Sequence, residues 1–219
     1  MQVNYQGNCD AQIVLLQIIG EHELPLIDEE LSQIKAITQS TDFLLITVQV
    51  DNWNDDLSPW VAEPIFGDAA FAGNAEKLLT RIKNEVIVPL LSEHQDIKIF
   101  AGGYSLAGLF VLWAAYQTNL FEGIAAVSPS VWFPKFVDFV HNNKILTNRV
   151  YLSLGDKEAK TRNKILAQVA NDIRDLYTSL EDYRLSSILV WNQGNHFKEP
   201  ALRMAKGFAW LMNNEKIHS

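Results

Sequence analysis

The sequence predicts an α/β fold, a single three-layer domain over residues 1–219 with a mainly parallel sheet of about six strands and helices on both faces. Three observations carry this expectation. Short apolar, β-branched runs alternate with longer amphipathic stretches along the whole chain, as parallel strands joined by helical crossovers require. The run Leu44, Leu45, Ile46, Val48, Val50 is apolar almost throughout, which marks a strand buried on both faces at the centre of such a sheet. The 219 residues are 48% apolar, enough for one sizeable core, and no repeat, low-complexity tract or linker divides them.

The elements follow in order. The first strand is Ile13–Ile19, closed by Gly20, and a helix starts near Asp28, where Asp28, Glu29 and Glu30 suit a positive helix N-terminus. The second strand covers residues 43–50. Residues 51–73 are too rich in Pro, Asn and Asp to be regular, and an ordered loop of that length is a functional candidate. A helix over about 74–91 aligns Leu78, Leu79, Ile82, Val86 and Leu90. The third strand, 97–101, turns through Gly102-Gly103-Tyr104-Ser105-Leu106-Ala107-Gly108 into an apolar helix at 109–116. The fourth strand, Gly123–Val127, ends in Ser128-Pro129-Ser130-Val131-Trp132-Phe133. The fifth, 149–154, ends in Gly155-Asp156-Lys157-Glu158, and the sixth, 187–191, runs into Gln193-Gly194-Asn195-His196-Phe197. A last helix over about 200–212 packs Leu202, Ala205, Phe208, Ala209 and Met212.

Charge and cysteine content narrow the function classes. A net charge of -8 argues against a phosphate-tracking surface, so nucleic acid is not an expected partner. Cys9 stands alone, which rules out an intrachain disulfide and fits a reducing compartment. No basic start precedes an apolar run, and no stretch nears the ~18 apolar residues of a membrane span. A cytoplasmic location, with no membrane partner, is the expectation.

The turn from the third strand into its helix carries the chemistry. A serine at a sharp strand-to-helix turn has its hydroxyl raised above the sheet edge, with the next N–H pointing at the same space. Gly103 stands two residues before Ser105, and Ala107, still small, two after. Serine needs a base to take its proton and a third group to hold that base. His196, just past the last strand, is where a base belongs; His94, His141 and His218 read as surface groups, and His22 as a minor substrate-binding candidate. For the acid, Glu158 stands three residues past Gly155 and is carried beyond the turn toward the histidine, with Asp156 as the alternative. Two N–H donors must face a tetrahedral oxyanion, and Leu106 and Glu21 are the candidates. The order serine, acid, histidine is that of α/β-hydrolases.

Gly-Tyr-Ser-Leu-Ala-Gly-Leu-Phe, Ser-Pro-Ser-Val-Trp-Phe, Leu-Ser-Leu-Gly-Asp-Lys-Glu and Gly-Asn-His-Phe together resemble the esterase D-like branch of α/β-hydrolases, which includes siderophore trilactone esterases and feruloyl esterases. The resemblance covers roughly residues 11–212, and Asp56-Leu57-Ser58-Pro59 resembles the family's Asp-aromatic-Thr-Pro element. It implies the α/β-hydrolase fold, a serine esterase, Ser105 and His196 as catalytic residues and Glu158 at the acidic position. Two departures stand out: Ile19-Gly20 replaces an Asp-Gly after the first strand, and the N-terminus reads as lacking the family's antiparallel strands.

Trp53 and Trp132 follow strand ends and together form the candidate wall of a substrate pocket, whereas Trp60 and Phe133 read as loop packing. No metal-ligand spacing, phosphate loop or dinucleotide fingerprint appears, so no metal or cofactor is expected. The leading function is hydrolysis of a small-molecule carboxylic ester through an acyl-enzyme. Acyl transfer by the same residues and a catalytically silent binding protein are the alternatives.

Overall fold

A computed structural model of the chain describes residues 1–65, 67–94, 96–181 and 185–213. Nine strands appear among them: β1 (Gln2–Gly7), β2 (Ile13–Ile19), β3 (Leu44–Gln49), the short β4 (Val61–Ala62) and β5 (Phe71–Ala72), β6 (Lys98–Tyr104), β7 (Gly123–Val127), β8 (Arg149–Gly155) and β9 (Ser186–Asn192). The helices are α1 (Ile27–Thr38), α2 (Trp53–Leu57), α3 (Ala75–Ile82), α4 (Val88–Glu93), α5 (Leu106–Ala114), α6 (Phe136–Asn142), α7 (Val169–Glu181) and α8 (Pro200–Asn213).

Seven strands form one sheet in the order β1-β3-β2-β6-β7-β8-β9, parallel except for β1, which runs antiparallel to β3; β4 and β5 pair separately. The expected mainly parallel sheet is therefore present, but with seven strands instead of six. The additional strand, β1, lies in the N-terminal segment that the sequence predicts to lack an antiparallel strand. β1 is an edge strand, largely exposed, and so lacks the continuous apolar run by which the buried parallel strands are recognised.

The core lies on both faces of the sheet. On one face Phe100, Leu15 and Val127 meet α1 and α8 through Ile34, Met204 and Phe208. On the other, Ile18, Ala101 and Leu152 meet α5, α6 and α7 through Phe110, Phe136 and Leu176. Helix α5 is buried at each of its residues, which explains why its sequence is apolar all round. The expected 74–91 helix is a continuous rod of α3, a π turn (Lys83–Ile87) and α4; Pro89, which has no N–H to give the preceding turn, stands just past the π turn.

The layer between β2 and α1 holds two acids. The Gln17 amide donates to Glu30 Oε2 at 2.9 Å, and Glu23 Oε2 accepts the Gly20 N–H at 2.9 Å. Burial pushes the Glu30 carboxyl up to about 8, with the Gln17 hydrogen bond opposing and the neighbouring Glu23 adding to the rise. Burial likewise pushes Glu23 up to about 7, against the Gly20 hydrogen bond. A carboxyl whose folded pKa is raised contributes stability that is complete below its unfolded value of about 4.3 and is lost as pH climbs through its folded value. Glu30→Gln should therefore gain stability over wild type at about pH 9, on the order of a few kcal/mol, and much less at about pH 5. Urea unfolding at the two pH values checks this, and an equal effect at both would contradict a titrating Glu30.

Candidate functional site

Strand order decides which loops meet. β6 lies at the centre, so the segments after β2, β7, β8 and β9 all leave the sheet at the edge where β6 ends. Tyr104 is the last residue of β6, and Ser105 follows it as the residue before α5 with φ 59° and ψ -119°. This is a costly backbone for a residue with a Cβ, on the order of 1–3 kcal/mol. It is held by the Ser105 N–H donating to Val127 O at 3.0 Å and the Ser130 N–H donating to Ser105 O at 3.0 Å. A Cβ on Gly103 would lie 2.5 Å from the Ala107 carbonyl carbon and oxygen, so only glycine lets α5 start this close to its strand.

The Ser105 hydroxyl lies 3.0 Å from His196 Nε2, and His196 Nδ1 lies 2.7 Å from Glu158 Oε2. Both distances are within hydrogen-bond reach, and the histidine links a hydroxyl to a carboxylate. Glu158 is 4% exposed, and its other oxygen, Oε1, accepts from Ser128 Oγ at 2.8 Å, the Gly155 N–H at 2.6 Å and Arg203 Nη1 at 3.0 Å. Burial alone would raise this carboxyl. The His196 bond and charge, with the Ser128 and Gly155 bonds, outweigh it and hold Glu158 below the usual carboxylate range.

Asp156, the alternative acid, points elsewhere. Its Oδ1 accepts the Gly194 N–H at 2.7 Å and so pins the turn that precedes His196. Gly194 itself has φ +107°, which favours glycine.

The two candidate oxyanion donors occupy comparable places. Leu106 is the first residue of α5, so its N–H has no partner within the helix. Glu21 opens the 3-10 turn Glu21–Leu26 after Gly20, and the pairing of Ile18 with Gly103 brings that turn to the same edge as Ser105. The Glu23 carboxyl holds the Gly20 N–H and thereby the shape of this turn.

A cavity of about 350 Å³ opens beside Ser105 and His196. Trp132, Leu166, Val169 and the 84% exposed Phe197 form its apolar wall, and Lys157 and Lys160 are also part of the lining. Trp53, expected to share this pocket with Trp132, instead lies edge-on to His22 with ring centroids 4.7 Å apart and lines a separate cavity. The strand order accounts for the separation, since Trp53 follows β3 and Trp132 follows β7, on opposite sides of β6. Trp60, partly buried, packs on the core residue Phe133.

His141 bonds to Asp175 at the surface at 3.1 Å, His94 ends α4, and His218 lies outside the described residues. Arg203, Ser128 and Phe197 also belong to the site, although none of them carries a local sequence signal for it. Among the described residues, no group of three or more His, Cys, Asp or Glu side chains is placed to hold a metal ion. Also among them, no helix is long and apolar enough to cross a membrane.

The mainly parallel sheet with helices on both faces and the strand-Ser105-helix turn define an α/β-hydrolase fold. Solved structures share it. The siderophore hydrolase EstA from Aspergillus nidulans superposes with a TM-score of 0.73 at 18% identity, over 97% of this chain and 89% of that one. The enterobactin esterase FES from Shigella flexneri does so with a TM-score of 0.68 at 15% identity, over 97% of this chain and 55% of that one. In sequence, the chain is 26% identical over 152 residues to the uncharacterized protein YbbA of Bacillus subtilis (strain 168), a match spanning 64% of this chain and 60% of that protein. No protein-family model matches the chain. At these identities the likeness is one of fold.

Gly103→Ala is expected to push α5 away from β6, lowering stability by about 1–3 kcal/mol. A thermal melt that leaves the midpoint unchanged would contradict the close approach.

Proposed function

We propose that the chain is a carboxylic ester hydrolase acting through an acyl-enzyme, with Ser105 as nucleophile, His196 as base and Glu158 as the orienting acid. The observation that carries this reading is the continuous relay of 3.0 Å from Ser105 Oγ to His196 Nε2 and 2.7 Å from His196 Nδ1 to Glu158 Oε2. Neighbours in fold described as a siderophore hydrolase and an enterobactin esterase support ester cleavage as the reaction class.

In the first half-reaction Ser105 Oγ attacks the ester carbonyl carbon as its proton passes to His196 Nε2. The N–H groups of Leu106 and Glu21 receive the oxyanion, and the buried Glu158 carboxylate balances the imidazolium charge. His196 then gives the proton to the departing alcohol. In the second half-reaction water gives a proton to His196 and attacks the acyl group, and Ser105 recovers its proton as the acid leaves. The substrate is a small-molecule ester. Trp132 with Phe197, rather than Trp132 with Trp53, supplies the aromatic wall that would receive it.

Hydrolysis of p-nitrophenyl esters of graded acyl length tests the reading. Ser105→Ala and His196→Ala should each lower kcat by about 1000-fold or more, and Ser105→Ala should abolish labelling by a fluorophosphonate. Wild-type rates in either variant would refute the assignment.

The two acids should separate in the same assay. Glu158→Gln, which spoils the bond that fixes the imidazole tautomer, is expected to lower kcat by about 100-fold or more, and Asp156→Asn by less than about 10-fold. The reverse ranking would make Asp156 the acid.

A further inference from the structure

We infer that Arg203 is the positioning residue of this site, the group that fixes Glu158 and the His196 loop relative to each other; the inference rests on the esterase reading above. Arg203 lies in the first turn of α8 and is only 1% exposed, a rare burial for a guanidinium. Its Nη1 donates to Glu158 Oε1 at 3.0 Å, to Tyr104 Oη at 3.2 Å and to Ser128 Oγ at 3.2 Å. Its Nη2 donates to the carbonyls of Gln193 at 3.2 Å and Asn195 at 3.0 Å. These partners stand at the ends of β6, β7, β8 and β9, so one side chain joins the four segments that carry the relay and its supports.

The contacts bear directly on the two bonds that matter. By engaging Oε1, together with Ser128 and Gly155, Arg203 prevents the carboxylate from rotating and leaves Oε2 for His196. The Gln193 and Asn195 carbonyls bracket Gly194, the turn that delivers His196. Tyr104 closes the network, since its hydroxyl accepts from Arg203 and donates to the His196 carbonyl at 2.6 Å. A lysine could supply the charge but not the planar fork that meets a carboxylate, two hydroxyls and two carbonyls at once. Arg203 does not line the cavity and so has no contact through which to change substrate binding.

The experiment compares wild type, Arg203→Met and Arg203→Lys with a p-nitrophenyl ester, with active sites counted by fluorophosphonate titration. Per titrated site, Arg203→Met should lose about 100-fold in kcat with KM little changed. Arg203→Lys, which keeps the charge but not the planar fork, should lose about 10-fold in kcat. A merely structural arginine would lower the number of active sites but leave each with wild-type kcat, and that result overturns the inference. Should Arg203→Met not fold, Arg203→Lys decides on kcat alone, lowered in support and unchanged in refutation. A wild type without Ser105-dependent turnover would instead refute the esterase reading and this inference with it.

Discussion

A carboxylate that is 4% exposed has to stay charged next to a histidine, and the edge of the sheet is built around that requirement. Ionised acids are not left in protein interiors without compensation, because desolvation outweighs any single hydrogen bond. Glu158 meets the condition with four donors from four different places: a strand-end hydroxyl, a backbone N–H, a helix-borne guanidinium and the histidine itself. Each donor arrives by way of the topology. Were β7, β8 or β9 displaced, the carboxyl would lose a partner and its preferred state would move toward the neutral acid, which cannot balance an imidazolium.

Glu30 makes the converse case in the same molecule. It is buried as deeply, receives one amide hydrogen bond, and has another carboxyl, Glu23, as a neighbour instead of a cation. Its pKa goes up where that of Glu158 goes down. Burial is common to both, so the sign of the shift follows the partners. Glu30 is accordingly a packing group between β2 and α1. Glu23 lies between the two cases, because its hydrogen bond to Gly20 shapes the turn at Glu21.

Much of this organisation was legible in the chain. The parallel strands announce themselves as apolar runs, and Ser105, Glu158 and His196 each follow one at a turn rich in glycine, so local pattern and chemistry coincide. The features without a local signal have the opposite character. β1 is held by pairing to β3 and has little apolar content of its own. Arg203 is a charged residue on an amphipathic helix, and its burial follows from a charge partner 45 positions away in sequence. One trace existed: Arg203, Gly207 and Leu211 are spaced by four residues, which aligns the arginine with a buried face of α8. Trp53 fell short for a similar reason, since adjacency along the chain to a strand end says nothing of which side of β6 that strand occupies.

The relay and the cavity wall answer to different constraints. Ser105, His196 and Glu158 are held by backbone pairing, a pinned glycine turn and a buried guanidinium, so their geometry has few ways to relax. Several side chains of the wall are less constrained: those of Lys157 and Lys160 are exposed, Leu166 precedes α7, and the Phe197 ring meets the His196 ring edge-on while projecting into solvent. An exposed side chain can change without leaving a buried polar group unpaired, whereas a change at Arg203 or Ser128 leaves several. The exposed part of the wall can therefore change shape at little cost to stability, while the buried network cannot.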